Sequence, residues 1–212
     1  MSRLAVFDLD GTLVDSVPDL RSALNRLAVA RGLAPFSAAQ TQAMVGDGAR
    51  ALVERSFAAR QAVMTEADYQ DFLADYIENA AVETRPYPGV ADTLRTLREL
   101  GWTLAVCTNK PETPARALLE SLGLLGLFKV IGGGDSYAVR KPDPGHLLAV
   151  IAACDGQPGR TVMVGDHHND IAAASGAGVF VIWAGWGYGA DGTGASAQAC
   201  EFTDLPALMD RF

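Results

Sequence analysis

Five short apolar runs, at residues 4–7, 103–107, 129–131, 161–164 and 179–183, constrain the fold of this chain more than any other feature. Most are nearly continuous in Val, Ile, Leu, Ala and Phe instead of alternating apolar with polar. That pattern belongs to strands covered on both faces, as in a parallel sheet. Helical patterns lie between them. Residues 88–100 place Val90, Leu94, Leu97 and Leu100 on one stripe and stop at Gly101, a good C-terminal signal. Residues 114–122 stop at Gly123 in the same way, and 144–154 and 170–175 complete the set. Strand alternating with helix predicts right-handed crossovers and a doubly wound, Rossmann-like α/β core.

One span breaks the alternation. Roughly residues 17–80 hold only helical patterns, over 18–31, 37–45, 49–59 and 66–79. The gap between the first and second strands is far too long for an ordinary crossover. The economical expectation is a small α-helical domain inserted after the first strand. Residues 1–14 and 86–212 then form the α/β core, and 15–85 a helical cap. The connections fall at 14–17 and 84–89, the second of which contains the stiff turn formers Arg85-Pro-Tyr-Pro-Gly89.

Composition narrows the function classes. A length of 212 residues and an apolar fraction of 49% suit one large domain, or one medium and one small, with a proper core. The net charge of −8, from 25 acidic against 17 basic residues, argues against a nucleic-acid surface. No apolar stretch approaches the ~20 residues of a membrane span, and the first strand follows Met-Ser-Arg directly, leaving no room for a secretory signal. Cys107, Cys154 and Cys200 show no metal-ligand spacing, are odd in number and have apolar or small neighbours. They read as buried free thiols in a reducing compartment. The expectation is a soluble cytoplasmic protein without nucleic-acid or membrane partners, as a monomer or a homodimer.

In open α/β sheets, ligands bind beyond the carboxyl ends of the strands, and the unusual polar residues gather there. The first strand ends in Asp8 and Asp10, the second in Thr108-Asn109-Lys110. The third is followed by residues 132–135 and then Arg140-Lys141-Pro142, and the fourth ends in Gly165-Asp166-His167-His168-Asn169-Asp170. In a strand, Asp8 and Asp10 point the same way, which costs energy unless a cation or proton is shared there. Asp8, Asp10, Asp166 and Asp170 form a carboxylate set with hardly any sulfur or imidazole, the hard oxygen chemistry that suits magnesium. Lys141 and the Thr108 hydroxyl add the cation and donor that phosphoryl transfer needs. Simpler readings stand beside these: Asp166 or Asp170 as N-caps of the helix at Ile171, Asn109 as a turn residue, Lys141 as a solvated lysine. His167 and His168 read as loop residues near the site. Arg50 with Gly46 and Gly48 either faces a substrate or forms a solvated helix start. The late Gly187-Tyr-Gly-Ala-Asp-Gly192 matches a dinucleotide-binding pattern but lacks a following βαβ unit, so it reads as a loop over the sheet edge.

The stretches DLDGTLVDS, CTNK, RKPDP and VGDHHND resemble, in order and spacing, the four motifs of the haloacid dehalogenase-like superfamily of hydrolases. The resemblance covers essentially the whole chain, including a helical cap after the first motif. His167 stands where the family usually has a small hydroxyl residue. The resemblance implies a magnesium-dependent phosphomonoester hydrolase acting through an aspartyl-phosphate, on a small phosphorylated metabolite such as 2-phosphoglycolate. Asp8 is then the nucleophile and Asp10 the acid and base. Asp8, the Asp10 carbonyl and Asp166 hold Mg2+, with Asp170 in or just behind that shell. Thr108 and Asn109 bind phosphoryl oxygens, and Lys141 neutralises them and restrains Asp8. The substrate's carboxylate is expected to meet the cap at Gly46, Gly48 and Arg50, the start of a helix. Other outcomes on this scaffold are a pyrophosphatase, a sugar-phosphate phosphatase or a phosphosugar mutase; a non-catalytic binding module is the alternative of another class. No lysine lies in the inserted span, which argues against a phosphonate hydrolase.

Overall fold

The computed structural model describes residues 3–79 and 81–210. Residues 1, 2, 211 and 212, at the outer limits of the expected core, and residue 80, at the end of the helical span, lie outside the described residues. In chain order the elements are β1 (Arg3–Phe7), β2 (Val14–Asp15), α1 (Val17–Ala30), α2 (Ala38–Gln42), α3 (Ala49–Ala58), α4 (Glu66–Glu78) and β3 (Arg85–Pro86). There follow α5 (Val90–Glu99), β4 (Trp102–Cys107), α6 (Glu112–Ser121), β5 (Val130–Gly132), α7 (Pro144–Ala153), β6 (Thr161–Gly165), α8 (His168–Ala177), β7 (Phe180–Ala184), β8 (Ala197–Ala199) and α9 (Leu205–Met209).

Six strands form one parallel sheet in the order β5-β4-β1-β6-β7-β8. Each long strand buries alternate residues on opposite faces, which explains why the apolar runs are continuous. Ala5, Phe7, Leu104, Val106, Val162 and Ile182 pack towards one face, together with Val90, Leu94 and Leu97 of α5 and Leu118 of α6. Leu4, Val6, Ala105, Met163 and Val181 turn to the other face, against Leu147 and Val150 of α7 and Ala173 and Ala174 of α8. Helices thus cover both faces, the doubly wound arrangement.

The five expected strands all form, with ends moved by a residue or so. β8 is an addition: Ala-Gln-Ala has too little apolar character to announce a strand, yet it pairs in parallel with β7. Helices α1 to α4 enclose a third apolar cluster of their own, with Leu24, Leu52, Phe57, Phe72 and Tyr76 at its centre. Two of these helices start in capping boxes, Ser37 with Gln40 and Thr65 with Asp68, which satisfy N–H groups that a helix start leaves open. The two segments leading into and out of this cluster run side by side, because β2 and β3 pair antiparallel. Asp19, buried in the first turn of α1, fastens them further by accepting from the N–H groups of Glu83 and Thr84 and from the Thr84 hydroxyl.

One expectation for the thiols needs correcting. Cys107 and Cys154 are buried, but Cys200 is exposed, because it follows β8 where the chain leaves the sheet edge. Among the described residues, no helix is long and apolar enough to cross a membrane.

Candidate active site

The carboxyl ends of β1, β4 and β6 meet the loop after β5 at one edge of the sheet. The continuous burial of β1 carries Asp8 to that edge, and its N–H donates to the Val164 carbonyl at 2.9 Å. Lys141 Nζ lies 2.9 Å from Asp8 Oδ1 and 2.6 Å from Asp170 Oδ1. Asp8 Oδ1 is buried and, despite the close ammonium, has no aligned hydrogen bond. Asp166 is fully engaged: the Thr12 hydroxyl donates to Oδ1 and the Tyr188 N–H to Oδ2, each at 2.8 Å. Gly11 has a φ of +86°, and a Cβ there would collide with the Asp166 carboxylate, so position 11 requires glycine on both counts.

Oxygens of Asp8, Asp166 and Asp170 lie within 4.8 Å of one another. Crowding and burial raise the proton affinity of Asp8 and Asp166. Burial first, then Asp170, pushes Asp8 up to about 6 against the pull of Lys141. Burial, then Asp8 and Asp170, pushes Asp166 up to about 8. Lys141 stays charged: Asp170 and Asp8 raise its pKa well above the usual value although burial opposes this. Three buried carboxylates with one unbonded oxygen form an all-oxygen donor set, which fits a hard divalent cation. Asp170 sits at the back of that set, since Oδ1 takes Lys141 and Oδ2 accepts from the His167 N–H at 3.0 Å. It is also the N3 residue of the α8 capping box, whose N-cap is His167. The rings of His167 and His168 lie against each other, tilted by 41° with centroids 4.1 Å apart.

Asp10 is held apart from the other three carboxylates. Its side chain is paired with Lys110, whose Nζ is 3.0 Å and 3.1 Å from the two carboxylate oxygens. The Asp8 and Asp10 side chains therefore do not face one ammonium; each pairs with its own lysine. Only the backbone carbonyl of Asp10 remains for a metal. Lys110 is buried and also donates to the Tyr76 hydroxyl of α4 at 2.7 Å. The sequence assigns no role to Lys110, although it directly follows Thr108 and Asn109 in the polar run at the end of β4. That position was the available signal.

Thr108 is buried at the end of β4 and lines the cavity beside Asp8. The Asn109 side-chain amide is committed to carbonyls, donating to Lys141 at 2.9 Å and to Gly46 at 3.0 Å. It ties the Lys141 loop to the helical segment, which leaves its backbone N–H as the group available for a phosphoryl oxygen. Asn169 makes a parallel tie to Gly46 and to Asp47 Oδ1. Gly48, the N-cap of α3, has a φ of +91°, and a Cβ there would lie 2.6 Å from the Asn109 carbonyl. Gly46 and Gly48 thus touch the core loops and line the cavity. Arg50 does not join them: its guanidinium pairs with Glu66 and stacks on Tyr69, because the second residue of α3 turns outward. Lys141 is oriented from behind, as its N–H donates to His146 Nδ1 at 3.3 Å. His146 is fully buried, and burial, followed by Lys141, pushes its pKa down to about 4.

Between the sheet edge and α1, α3 and α4 lies a cavity of about 40 Å³, room for only a few water molecules. Asp8, Asp10, Thr108 and Lys110 form its polar floor, and Leu52 and Phe72 are part of its apolar roof. The glycine-rich tail loop, read as a cover for the sheet edge, also buttresses the site through Tyr188 and through Gly187, which packs on Asp166.

Strand-end carboxylates facing a lysine, under a helical cover inserted after the first strand, define a class of hydrolase. The chain belongs to the haloacid dehalogenase-like hydrolases, whose family model matches residues 3–178. Within that family it is an enzyme of the phosphatase kind, similar to phosphoglycolate phosphatases. It is 47% identical over 192 residues to the phosphoglycolate phosphatase of Agrobacterium fabrum, covering 89% of this chain and 82% of the relative. With that of Rhodospirillum rubrum it shares 40% over 218 residues, covering 99% and 90%. A crystal structure described as a predicted phosphoglycolate phosphatase from Haemophilus somnus superposes with a TM-score of 0.90 at 30% identity, covering 98% of this chain and 97% of that one.

Proposed function

We propose that this chain is a magnesium-dependent phosphomonoester hydrolase that works through an aspartyl-phosphate, with 2-phosphoglycolate as its substrate. The observation that carries the reading is the buried triad of Asp8, Asp166 and Asp170 with Lys141 ion-paired to two of its members. Residues 15–85 serve as the cap that covers this site and keeps water out during transfer.

In this reading Asp8 attacks phosphorus; the Asp8 oxygen–phosphorus bond forms as the bond to the leaving oxygen breaks. Asp10 gives its proton to that oxygen, then takes one from the water that hydrolyses the aspartyl-phosphate and releases inorganic phosphate. Thr108 and the Asn109 N–H hold phosphoryl oxygens, and Lys141 balances their charge while restraining Asp8. Asp8, Asp166 and the Asp10 carbonyl would hold Mg2+, backed by Asp170, and the ion would offset the negative charge that carboxylates and phosphate bring together. The name shared by the relatives supports 2-phosphoglycolate over a sugar phosphate. A cytoplasmic setting belongs to the same proposal, in keeping with three free cysteines.

Phosphate release from 2-phosphoglycolate, an aryl phosphate, sugar phosphates and pyrophosphate, each with Mg2+ and with excess chelator, tests the whole reading. Turnover fastest on 2-phosphoglycolate and lost in chelator is expected. Faster turnover of a sugar phosphate or pyrophosphate overturns the substrate, and full activity in chelator overturns the metal.

A further inference from the structure

We propose that Lys110 is the specificity-determining residue of this enzyme, binding the carboxylate of the substrate's leaving group. This rests on the reading that the substrate is a small phosphorylated acid. Such a substrate carries two anions, and the phosphate end already has Lys141. The second anion needs its own cation, and among the residues lining the cavity Lys110 is the single one. Arg50, the other cation the sequence offers, is spent on Glu66 and Tyr69 outside.

Distance agrees with chemistry. Asp10 must sit one hydrogen bond from the leaving oxygen to protonate it, and Lys110 Nζ is 3.0 Å from Asp10. Lys110 is therefore about two hydrogen-bond lengths from the leaving oxygen. A carboxylate joined to that oxygen through one methylene falls within this reach. The ammonium has three donors, which go to the two Asp10 oxygens and the Tyr76 hydroxyl. Once Asp10 carries the proton that it gives to the leaving oxygen, one of these contacts passes to the substrate's carboxylate. The Tyr76 hydroxyl, which accepts from Lys110, has a proton of its own to offer a carboxylate. Phe72 and Leu52 nearby are apolar, so a neutral or bulky leaving group gains no polar contact beyond these two residues. Lys110 thereby does two things: it orients the Asp10 carboxylate and it selects the anion that Asp10 will release.

The test compares kcat/KM for 2-phosphoglycolate with that for ethyl phosphate, which has the same chain length and no carboxylate. Wild-type enzyme should prefer 2-phosphoglycolate. Lys110→Met and Lys110→Gln should each lose about 10²-fold more on 2-phosphoglycolate than on ethyl phosphate, mostly in KM. Lys110→Arg should recover part of the preference. Tyr76→Phe, which preserves the packing, should show a smaller selective loss of about 10-fold. Equal losses on both substrates in the Lys110 variants, or in Tyr76→Phe if those do not fold, reduce Lys110 to a support for Asp10 and overturn the inference. A wild-type enzyme that does not distinguish the substrates overturns the substrate reading itself, and this inference with it.

Discussion

Around Asp8, three buried carboxylates face one ammonium, whereas around Asp10, across the same cavity, one carboxylate faces one ammonium. The first region carries an excess of negative charge that calls for a divalent cation. The second is balanced, and is walled by a helix from the inserted segment. The first region is therefore built entirely by strand-end loops of the sheet, and the second jointly by the sheet edge and the inserted helix that carries Tyr76. The proposed roles divide in the same way, with the nucleophile and metal in the first region and substrate choice in the second.

The largest effect should come from Asp8→Asn. An amide at this strand end is isosteric, so the fold should survive, as circular dichroism would verify. Phosphate release should fall by about 10⁴-fold or more on every substrate. Near-normal turnover would end the nucleophile assignment. Asp10→Asn belongs to the other region and should behave differently. Its loss of roughly 10²–10⁴-fold should apply to alkyl phosphates and shrink for aryl phosphates, whose leaving groups need no proton. A uniform loss would erase the distinction between the two regions.

The charge excess at Asp8 also has a pH signature. With Asp166 raised to about 8 and Asp8 to about 6, the metal-free folded protein holds protons that the unfolded chain has released above about pH 4. Between about pH 4 and 6.5 buried His146 opposes this trend, so stability of the metal-free protein should fall most clearly as pH rises from about 6.5 to 8. Mg2+ must displace those protons, so its affinity should rise over pH 6 to 8 by up to about tenfold per pH unit. Thermal unfolding with and without Mg2+ measures both trends; a metal-free midpoint that climbs towards pH 8 contradicts the picture. The smallest effect is expected at Arg50. Its pairing with Glu66 is exposed, so Arg50→Ala should change kcat/KM for 2-phosphoglycolate by less than about twofold. A large selective loss there would shift substrate choice from Lys110 to the start of α3.

Much of this arrangement was legible in the sequence because backbone burial dictates residue type. Two-sided strands such as 161–164 can hardly be written without a continuous apolar run, and the polar residues that end them mark the sheet edge. Pairings between distant segments leave no such trace. The Lys110–Asp10–Tyr76 chain joins three segments far apart in sequence, and each member alone reads as an ordinary lysine, turn aspartate or helical tyrosine. Cys200 misleads for a related reason: its small neighbours, Ala199 among them, suggest burial, but it lies just past a short edge strand. Arg50 shows the limit of reading by position. A helix start near the cavity suggested an anion contact, and only the phase of α3 decides that the side chain turns away.

Tyr188 has a wider consequence. Its N–H grips Asp166, while its hydroxyl donates to Asp15 and accepts from the N–H of Ser16, where the chain leaves the core. A single residue thus couples Asp166 to the segment where the chain passes from the sheet into the inserted helices. Grafting a foreign set of helices onto this sheet, to change what the enzyme accepts, should succeed only if the junction still offers Tyr188 its acceptor and its donor. Modularity in this architecture is bounded by one phenol.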